Sequence, residues 1–207
     1  MEVLLNVGNG YGIAGLKLLR PLFERVVTMM QLIKHPDQVD DFLAYHHVHI
    51  RKTIRHMVAG GVDPTRYLTK DQLDSIEAEY QAVKARFVEV VCKTCGTTRD
   101  SMSWTKTDLA TMARNVGLGP SYLGLCYYPT LQLHTTVSAM ATRMEDTPEG
   151  FAFNPGAQTK EADVALVGAH TCLAVALEQH IQYFGLSVPA QWVRELYHGC
   201  WPDSEAG

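Results

Sequence analysis

The sequence has no strong excess of charge of either sign. Its 18 Lys and Arg residues against 22 Asp and Glu residues give a formal net charge of −4 at pH 7. No global positive field therefore attracts DNA or RNA, which leaves only local basic patches to consider. Charged residues are slightly sparse, at 19% of the chain, while hydrophobic residues, at 46%, have the share usual for a globular protein.

Features of exported and membrane proteins are scarce. The five cysteines are an odd number scattered over 207 residues, unlike the framework of a disulfide-rich secreted domain. Residues 1–12, MEVLLNVGNGYG, have no basic leader and no clear cleavage site, so we expect no signal peptide. The longest apolar run, 162–177, contains Asp163 and His170 and is too short to cross a bilayer comfortably. We predict a cytoplasmic protein without a membrane partner.

The sequence also lacks strand patterns and several familiar catalytic motifs. It has no sustained polar–apolar alternation and no Asn-Gly hairpin. It has no glycine-rich nucleotide loop, no Gly-x-Ser-x-Gly and no His-Glu-x-x-His. Helical periodicity is present instead, and it predicts an all-α fold, a single-domain bundle of five to six helices. We place the bundle at 15–186, after an N-terminal segment at 1–14 and before a short C-terminal helix and tail at 187–207.

Local patterns give the helix boundaries. The bundle helices are predicted at 15–33, 37–57, 69–91, 105–115, 120–144 and 160–184, with an exposed loop at 145–160. Thr69 and Gln72 have the spacing of a capping box, and Gly185 ends the long helix before it. On the second helix, one face is predicted from five residues at helical spacing: Leu43, His47, Ile50, Ile54 and Met57.

The helix at 15–33 is apolar around most of its circumference, so we expect it to be central. Arg20 and Glu24 share its narrow polar strip, one turn apart. The pair is either a solvent-facing stripe or structural ion pair, or a polar cluster held inside the bundle. Pro21 removes one backbone donor and predicts a kink.

His134 is the second candidate for chemistry. It follows Tyr127 by seven residues, which would put both side chains on one face of the predicted 120–144 helix. If Tyr127 or Tyr128 and His134 meet the Arg20–Glu24 pair, the protein has one buried polar site in which Glu24 orients the imidazole. The alternative is a histidine satisfied within the core. The candidate catalytic residues are therefore these four: Arg20, Glu24, Tyr128 and His134.

The second helix carries a histidine cluster formed by His46, His47, His49 and His56. Such spacing can hold a metal, or the cluster can be a solvated basic face together with three cations: Arg51, Lys52 and Arg55. Arg51 and His56 also fit the loose Arg-x4–6-His pattern of HEPN ribonucleases, a superfamily of helical bundles. Five residues on a regular helix leave these two side chains about 140° apart, so the match is weak.

Cys92 and Cys95 form a Cys-x-x-Cys-Gly sequence in a polar loop. A zinc ribbon needs a second such pair, and Cys126, Cys172 and Cys200 stand alone. A thioredoxin-like role needs a βαβ setting that the sequence does not predict. Half a zinc knuckle or a chance loop pair remains, and we expect no cofactor elsewhere.

Two segments are similar to a widespread bacterial all-helical domain family of unknown function. The first is LLRPLFERVVTMMQLIKHPDQVDDFLAYHHVHIRKTIRHM, with its Arg-x-x-x-Glu helix, and the second is SWTKTDLATMARNVGLGPSYLGLCYYPTLQLHTTV, where Ser-Trp leads a helix. Together they cover roughly residues 15–145, in matching order. The resemblance marks Arg20, Glu24, Trp104, Tyr128 and His134. It implies an HEPN-like bundle at the level of fold and no settled activity.

The residues support two functional predictions. The first is a binding or interaction module whose interior polar site binds a ligand or a protein partner without chemistry. The alternative is an HEPN-like, metal-independent ribonuclease acting on RNA in phage defence or a toxin–antitoxin pair, with His134 or His56 as acid–base and an arginine (Arg20, Arg51 or Arg55) holding the phosphate.

Self-association is also predicted. The segment 162–176 has a face of small residues that permits close helix contact, and aromatic residues follow it at Trp192, Tyr197 and Trp201. Both features favour self-association, with a homodimer as the candidate assembly.

Overall fold

The computed structural model describes residues 1–92, 94–134, 136–154 and 156–201. Over these residues the fold is mainly helical, which confirms the all-α class, with nine α-helices rather than five to six. In chain order the helices are α1 (Glu2–Gly8), α2 (Gly12–Lys34), α3 (Val39–Ala59), α4 (Lys70–Val83), α5 (Leu109–Asn115), α6 (Tyr128–Leu133), α7 (Val137–Ala141), α8 (Ala162–Phe184) and α9 (Ala190–Cys200). Two antiparallel hairpins join them, β1 (Val88–Val90) with β2 (Thr98–Asp100) and β3 (Met144–Thr147) with β4 (Gly150–Phe153).

The chain divides into two compact units. Unit 1 comprises Met1–Lys34 and Leu109–Gly207, and unit 2 comprises His35–Asp108. Unit 1 thus contains α1, α2 and α5–α9, whereas unit 2 contains α3, α4 and the β1–β2 hairpin.

Helix α2 is the centre of unit 1, as its apolar circumference predicts. Leu16, Leu19 and Val27 are fully buried and Phe23 is nearly so. The helix continues through Pro21 and contacts α1, α5, α6 and α8. Helix α8 comes close to it because Gly168 has no side chain: a Cβ there would stand 2.7 Å from methyl groups of Leu19 and Leu125.

The predicted N-terminal segment is partly helical, since α1 covers Glu2–Gly8. Val3 and Val7 pack on the cluster formed by Leu16 and Leu19. No local pattern predicts this helix, because it lacks a capping side chain and tertiary packing rather than propensity stabilises so short a helix.

The predicted continuous helix at 120–144 is wrong. The chain forms a π-turn at Leu123–Tyr127, then α6, and then the separate helix α7. Pro129 lacks the N–H that a regular helix needs at that position, and the N–H of Tyr128 instead bonds the carbonyl of Leu123, five residues back. Thr136 then caps α7 by accepting a hydrogen bond from the N–H of Ala139 at 3.0 Å.

The exposed segment predicted at 145–160 contains the β3–β4 hairpin. Met144 pairs with Phe153 and Thr147 with Gly150. Gly150 has a φ of +124°, a conformation open mainly to glycine, and it supports the tight turn between the strands. Phe151 and Phe153 are exposed, so the hairpin is not part of the core of unit 1.

Unit 2 is built on α3 and α4. Tyr45, Val48, Tyr80 and Phe87 form its core, with Trp104 packed against them. The capping box is confirmed: the N–H of Gln72 donates to the Thr69 hydroxyl, while the Gln72 side chain accepts from the N–H of Thr69. Helix α4 ends at Val83 rather than near residue 91, because the chain turns and enters β1, where Val88 and Val90 suit a strand.

Candidate functional site

Arg20 and Glu24 meet, but at the surface of unit 1. Arg20 Nη1 donates to Glu24 Oε2 at 3.2 Å, one turn further along α2. Their side chains are 38% and 48% exposed. A pair this open to water contributes about 0.5 kcal/mol or less to stability. The Arg20–Glu24 pair therefore faces solvent, and it is not part of a polar cluster inside the bundle.

Beneath this pair lies Cys126, a residue that the sequence did not single out. It occupies the π-turn before α6 and is 2% exposed. Burial raises the pKa of its thiol, and the opposite charges of Arg20 and Glu24 act on that pKa in opposite directions. The thiol is therefore protonated and sheltered, which suits a structural cysteine and not a nucleophile.

Tyr128 lies half-buried beside the core of unit 1. Its hydroxyl donates to Glu161 Oε1 at 3.0 Å, and burial raises its pKa. Glu161 directly precedes α8 and has a φ of +68°, an uncommon left-handed conformation for a residue with a side chain. Tyr128 thus holds the start of α8 against α6, and its hydrogen-bond partner, Glu161, is not one of the four candidate residues.

His134 is exposed and follows the last residue of α6. Among the residues that the structure describes, its side chain makes no hydrogen bond or ion pair. The π-turn shifts the helical register and α6 ends at Leu133, so Tyr127 and His134 do not share one regular helical face. The four candidate residues therefore form one exposed pair, one separate structural bond and one solvent-exposed histidine.

In unit 2, the histidines of α3 have separate surroundings. His47 Nδ1 lies 3.0 Å from Glu79 Oε2, while His49 packs edge-on against Tyr45. Burial, then the charges of Lys52 and His46, lower the pKa of His49. No group of three metal-ligating side chains occurs within the described ranges, so they hold no formed metal site.

The cations of α3 are each paired within unit 2. Arg51 Nε bonds the carboxylate of Glu77, and Arg55 Nη1 lies 3.5 Å from Asp100 Oδ2. Lys52 donates to the hydroxyl of Tyr45 at 3.1 Å and to the carbonyl of Ser101. Their charge is thus largely directed at groups of the protein, which leaves a weak site for a phosphate.

Asp100 is the polar centre of unit 2, and sequence reasoning did not identify it. It is buried, and its Oδ1 accepts a hydrogen bond from the Tyr80 hydroxyl at 2.7 Å. Burial, together with this bond and the carboxylate charge, raises the pKa of Tyr80 to about 12. The contacts tie β2 to α4 and serve structure. A lone Asp at the end of a three-residue strand offers no sequence pattern that could have revealed this.

Helices α8 and α9 form a hairpin that exposes many large apolar side chains. Leu173, Leu177 and Phe184 lie within about 40° of one another around α8, and all are exposed. Trp192 and Leu196, one turn apart on α9, are 57% and 72% exposed. Both packed helices of the hairpin therefore expose large apolar side chains.

Polar contacts fix α9 on α8. The Thr171 hydroxyl lies 2.8 Å from that of Tyr197, Trp201 Nε1 donates to His170 Nδ1 at 2.8 Å, and Arg194 Nε donates to Glu178 at 2.9 Å. The exposed apolar side chains are therefore held outward by a hairpin that is already formed.

The small-residue face predicted for dimerisation lies inside unit 1. Ala165, Gly168 and Cys172 of α8 are buried, and Ala165 and Gly168 contact α2. Of the three aromatic residues expected at an interface, Tyr197 and Trp201 bind α8 of the same chain, and Trp192 is exposed. The part of the prediction that concerns the small residues is wrong, since these residues pack within unit 1 and other side chains of α8 are exposed.

By length and composition, α8 could span a bilayer, and within the described residues no other helix passes that test. It has 23 residues, more than the apolar run 162–177 suggested. The same test is met by core helices of proteins without a membrane, and α8 packs along α2.

The model of a family of unknown function, DUF5677, matches residues 1–151. The matched range contains all four sequence candidates and the whole of unit 2, and it ends before α8. No curated protein and no solved structure matches the chain. The resemblance to a domain family of unknown function is confirmed, while a bacterial source and HEPN likeness stay predictions.

Proposed function

The chain belongs to the DUF5677 family, and we propose that it works as a homodimeric interaction module whose docking surface is the α8–α9 hairpin. The single observation that carries this proposal is the set of outward-facing apolar side chains on the hairpin: Leu173, Leu177, Tyr183, Phe184, Leu186, Val188, Trp192 and Leu196. The sequence hypothesis placed binding at an interior polar site. We place it at the α8–α9 hairpin instead, because the four candidate polar residues do not meet at one site.

The amount of exposed apolar surface suits a second copy of the chain. At ordinary side-chain areas and the observed exposures, these residues present on the order of 800 Å² of surface, which is what one partner contributes to a standard interface. Two α8–α9 hairpins packed together would form a four-helix arrangement, a common way of covering helices that are apolar on more than one side.

Preorganisation supports the same proposal. The contacts of Tyr197 with Thr171 and of Arg194 with Glu178 place α9 before any partner arrives. Binding therefore requires little ordering of the backbone, so more of the apolar burial appears as affinity. The hairpin lies outside residues 1–151, which the family model matches.

The mass of the full-length protein in solution tests the proposal. We expect a dimer by sedimentation equilibrium, and a monomer for Leu173→Glu and Leu196→Glu, since each change places a charge in the apolar interface. Leu43→Glu is the matched control, because Leu43 is 60% exposed but lies on α3. A monomeric wild type would overturn the proposal, as would a dimer that both variants leave intact.

Two further experiments distinguish dimerisation through the α8–α9 hairpin from other roles of exposed apolar surface. Phe151→Glu changes the exposed β3–β4 hairpin, and dissociation by this variant alone would assign the interface there. Flotation with phospholipid vesicles examines membrane binding by α8. We expect the protein to stay in the soluble fraction, and quantitative flotation that Leu173→Glu abolishes would replace dimerisation by membrane docking.

A further inference from the structure

The β3–β4 hairpin of unit 1 leaves the outer edge of β4 open. Within the described residues no third strand pairs with it. The N–H of Asn154 donates to the carbonyl of Arg143 at 2.8 Å. Hydrogen-bonded pairs alternate along an antiparallel ladder, so the next residue of β4 that bonds β3 is Ala152. Phe151 and Phe153 therefore direct their backbone N–H and C=O groups away from β3, along the open edge.

The same two phenylalanines share one face of the hairpin. Residues two apart on a strand point to the same face, and so do directly paired residues of antiparallel strands. Phe151 pairs with Asp146, and Phe153 pairs with Met144. All four side chains are exposed, that of Phe151 by 74% and that of Phe153 by 62%. We call these four side chains the aromatic face.

The hairpin is acidic for its length. Glu145, Asp146 and Glu149 are exposed, and the two strands and their turn contain no Lys or Arg. Arg143, just before β3, donates to the carbonyl of Gly156 at 3.4 Å. Two such hairpins placed edge to edge would bring like charges together, and anionic lipid and nucleic acid are repelled for the same reason. The charge therefore favours a partner that carries Lys or Arg.

Side-chain hydrogen bonds hold the hairpin in shape before a partner binds. Asn154 Nδ2 donates to Glu145 Oε1 at 2.6 Å, and Thr147 Oγ1 donates to the carbonyl of Gly150 at 2.8 Å. A strand that adds to an edge already formed requires ordering of the incoming segment alone. The open edge is thus a preformed template for an extended chain.

We propose that the outer edge of β4 binds an extended, Lys- or Arg-rich segment of another protein, which adds to the hairpin as a third strand. Its backbone bonds the outward N–H and C=O groups of Phe151 and Phe153. A cationic side chain laid over the ring of Phe151 reaches toward Asp146, the cross-strand neighbour of that residue. Cation–π attraction and a carboxylate thus act on the same positive charge and select it.

This inference does not depend on the α8–α9 dimer, because it uses other side chains and a partner of different chemistry. The Leu173→Glu variant separates the two proposals. That variant should bind a basic segment as tightly as the wild type does, whether or not the wild type is a dimer.

Peptide binding to the full-length chain tests the site. The probe is a fluorescent peptide of about seven residues in which Lys and Val alternate, a pattern that suits an extended strand. One control peptide has Glu in place of Lys. The other keeps the Lys residues but has N-methylated backbone amides, which cannot donate to the edge. By fluorescence anisotropy we expect the probe to bind at least about tenfold more tightly than either control, and more weakly as NaCl is raised.

Variants of the hairpin locate the contact. Phe151→Thr and Asp146→Lys should each weaken binding of the probe at least about fivefold, since they remove the ring and reverse the charge. Tyr67→Thr and Asp74→Lys are the matched controls, because these residues are exposed in unit 2 and should leave binding unchanged. Circular dichroism should match among the four variants, which shows that a loss is not misfolding.

Amide hydrogen exchange measured by NMR examines the backbone bonds. The N–H groups of Phe151 and Phe153 should exchange more slowly when the probe is bound, whereas those of the β1–β2 hairpin should not change. Absence of probe binding, equal binding of either control peptide, unchanged binding by Phe151→Thr, or no slowing of exchange at Phe151 and Phe153 would each overturn the inference.

Discussion

At the scale of single residues, the five cysteines differ sharply in environment. Cys172 is buried and burial raises its pKa to about 12, whereas hydrogen bonds lower that of exposed Cys95 to about 7. Since the thiolate is the reactive form, its fraction and its exposure together set the rate of alkylation. The same residue type therefore serves as core filler in α8 and as a reactive group in the β1–β2 hairpin.

Alkylation of the native, metal-free protein should follow this order. We expect iodoacetamide to modify Cys95 first, with a rate that rises to half its maximum near pH 7, because deprotonation exposes the nucleophile. Cys126 and Cys172 should remain unmodified until the protein unfolds. Peptide mass spectrometry of samples quenched across pH 5–9 measures both. Rapid labelling of Cys172 in the folded protein would contradict the structure.

The Tyr80–Asp100 bond gives a second prediction at this scale. Tyr80→Phe removes the donor at 2.7 Å and leaves a buried carboxylate oxygen with one partner fewer. The free energy of unfolding should fall by about 1–3 kcal/mol. Tyr67→Phe is the control, since Tyr67 is 71% exposed and should change stability little. Urea unfolding followed by circular dichroism measures the difference, and equal stability of the two variants would show that the bond contributes nothing.

At the scale of elements, the close approach of α2 and α8 depends on a missing side chain. A Cβ at position 168 would meet Leu19 and Leu125 at 2.7 Å. Gly168→Ala should therefore destabilise the protein by about 1–3 kcal/mol through overpacking. Gly199→Ala should instead stabilise it, by about 0.5–1 kcal/mol, because that position in α9 is open and Ala favours the helix. Thermal unfolding of the two variants should show opposite shifts, and shifts of the same sign would contradict this packing.

Helices with local start signals were predictable, and helices defined by tertiary contacts were not. The capping box at Thr69 and Gln72 placed the start of α4 correctly. On α3 the spacing pointed to Leu43, which is 60% exposed, whereas Tyr45 and Val48 are buried. Tyr45 is inside because its hydroxyl reaches the carbonyl of Ser101 at 2.7 Å, a contact 56 residues away that no local pattern contains.

The candidate site was less predictable than the fold. The spacing of Arg20 and Glu24 correctly predicted their contact, since residues four apart on a helix are neighbours. Whether such a pair is buried depends on what else packs there, and periodicity carries no such information. The prediction that Tyr127 and His134 share one face requires a regular helix. The π-turn before Pro129 interrupts that regular helix.

At the scale of the whole molecule, each of the two units can be considered by itself as the place of the groups that a ribonuclease would need. His134 and Arg20 belong to unit 1, while His56, Arg51 and Arg55 belong to unit 2. Within unit 2, Arg51 is bonded to Glu77 and Arg55 lies beside Asp100, so neither charge is held ready for a phosphate. With a net charge of −4, long-range attraction of RNA is also weak.

We therefore expect the purified protein to leave RNA intact, although ribonuclease activity was the alternative that the sequence offered. Total RNA is incubated with the wild type, with and without chelator, and with His56→Ala and His134→Ala, and its length distribution is compared with that of RNA alone. Metal-independent acid–base cleavage needs a histidine near the ribose and a cation at the phosphate. The three candidate arginines, Arg20, Arg51 and Arg55, are each paired with a carboxylate. Cleavage by the wild type that either histidine variant abolishes would reverse this conclusion and make RNA the partner, whereas equal cleavage by all three proteins would indicate a contaminant.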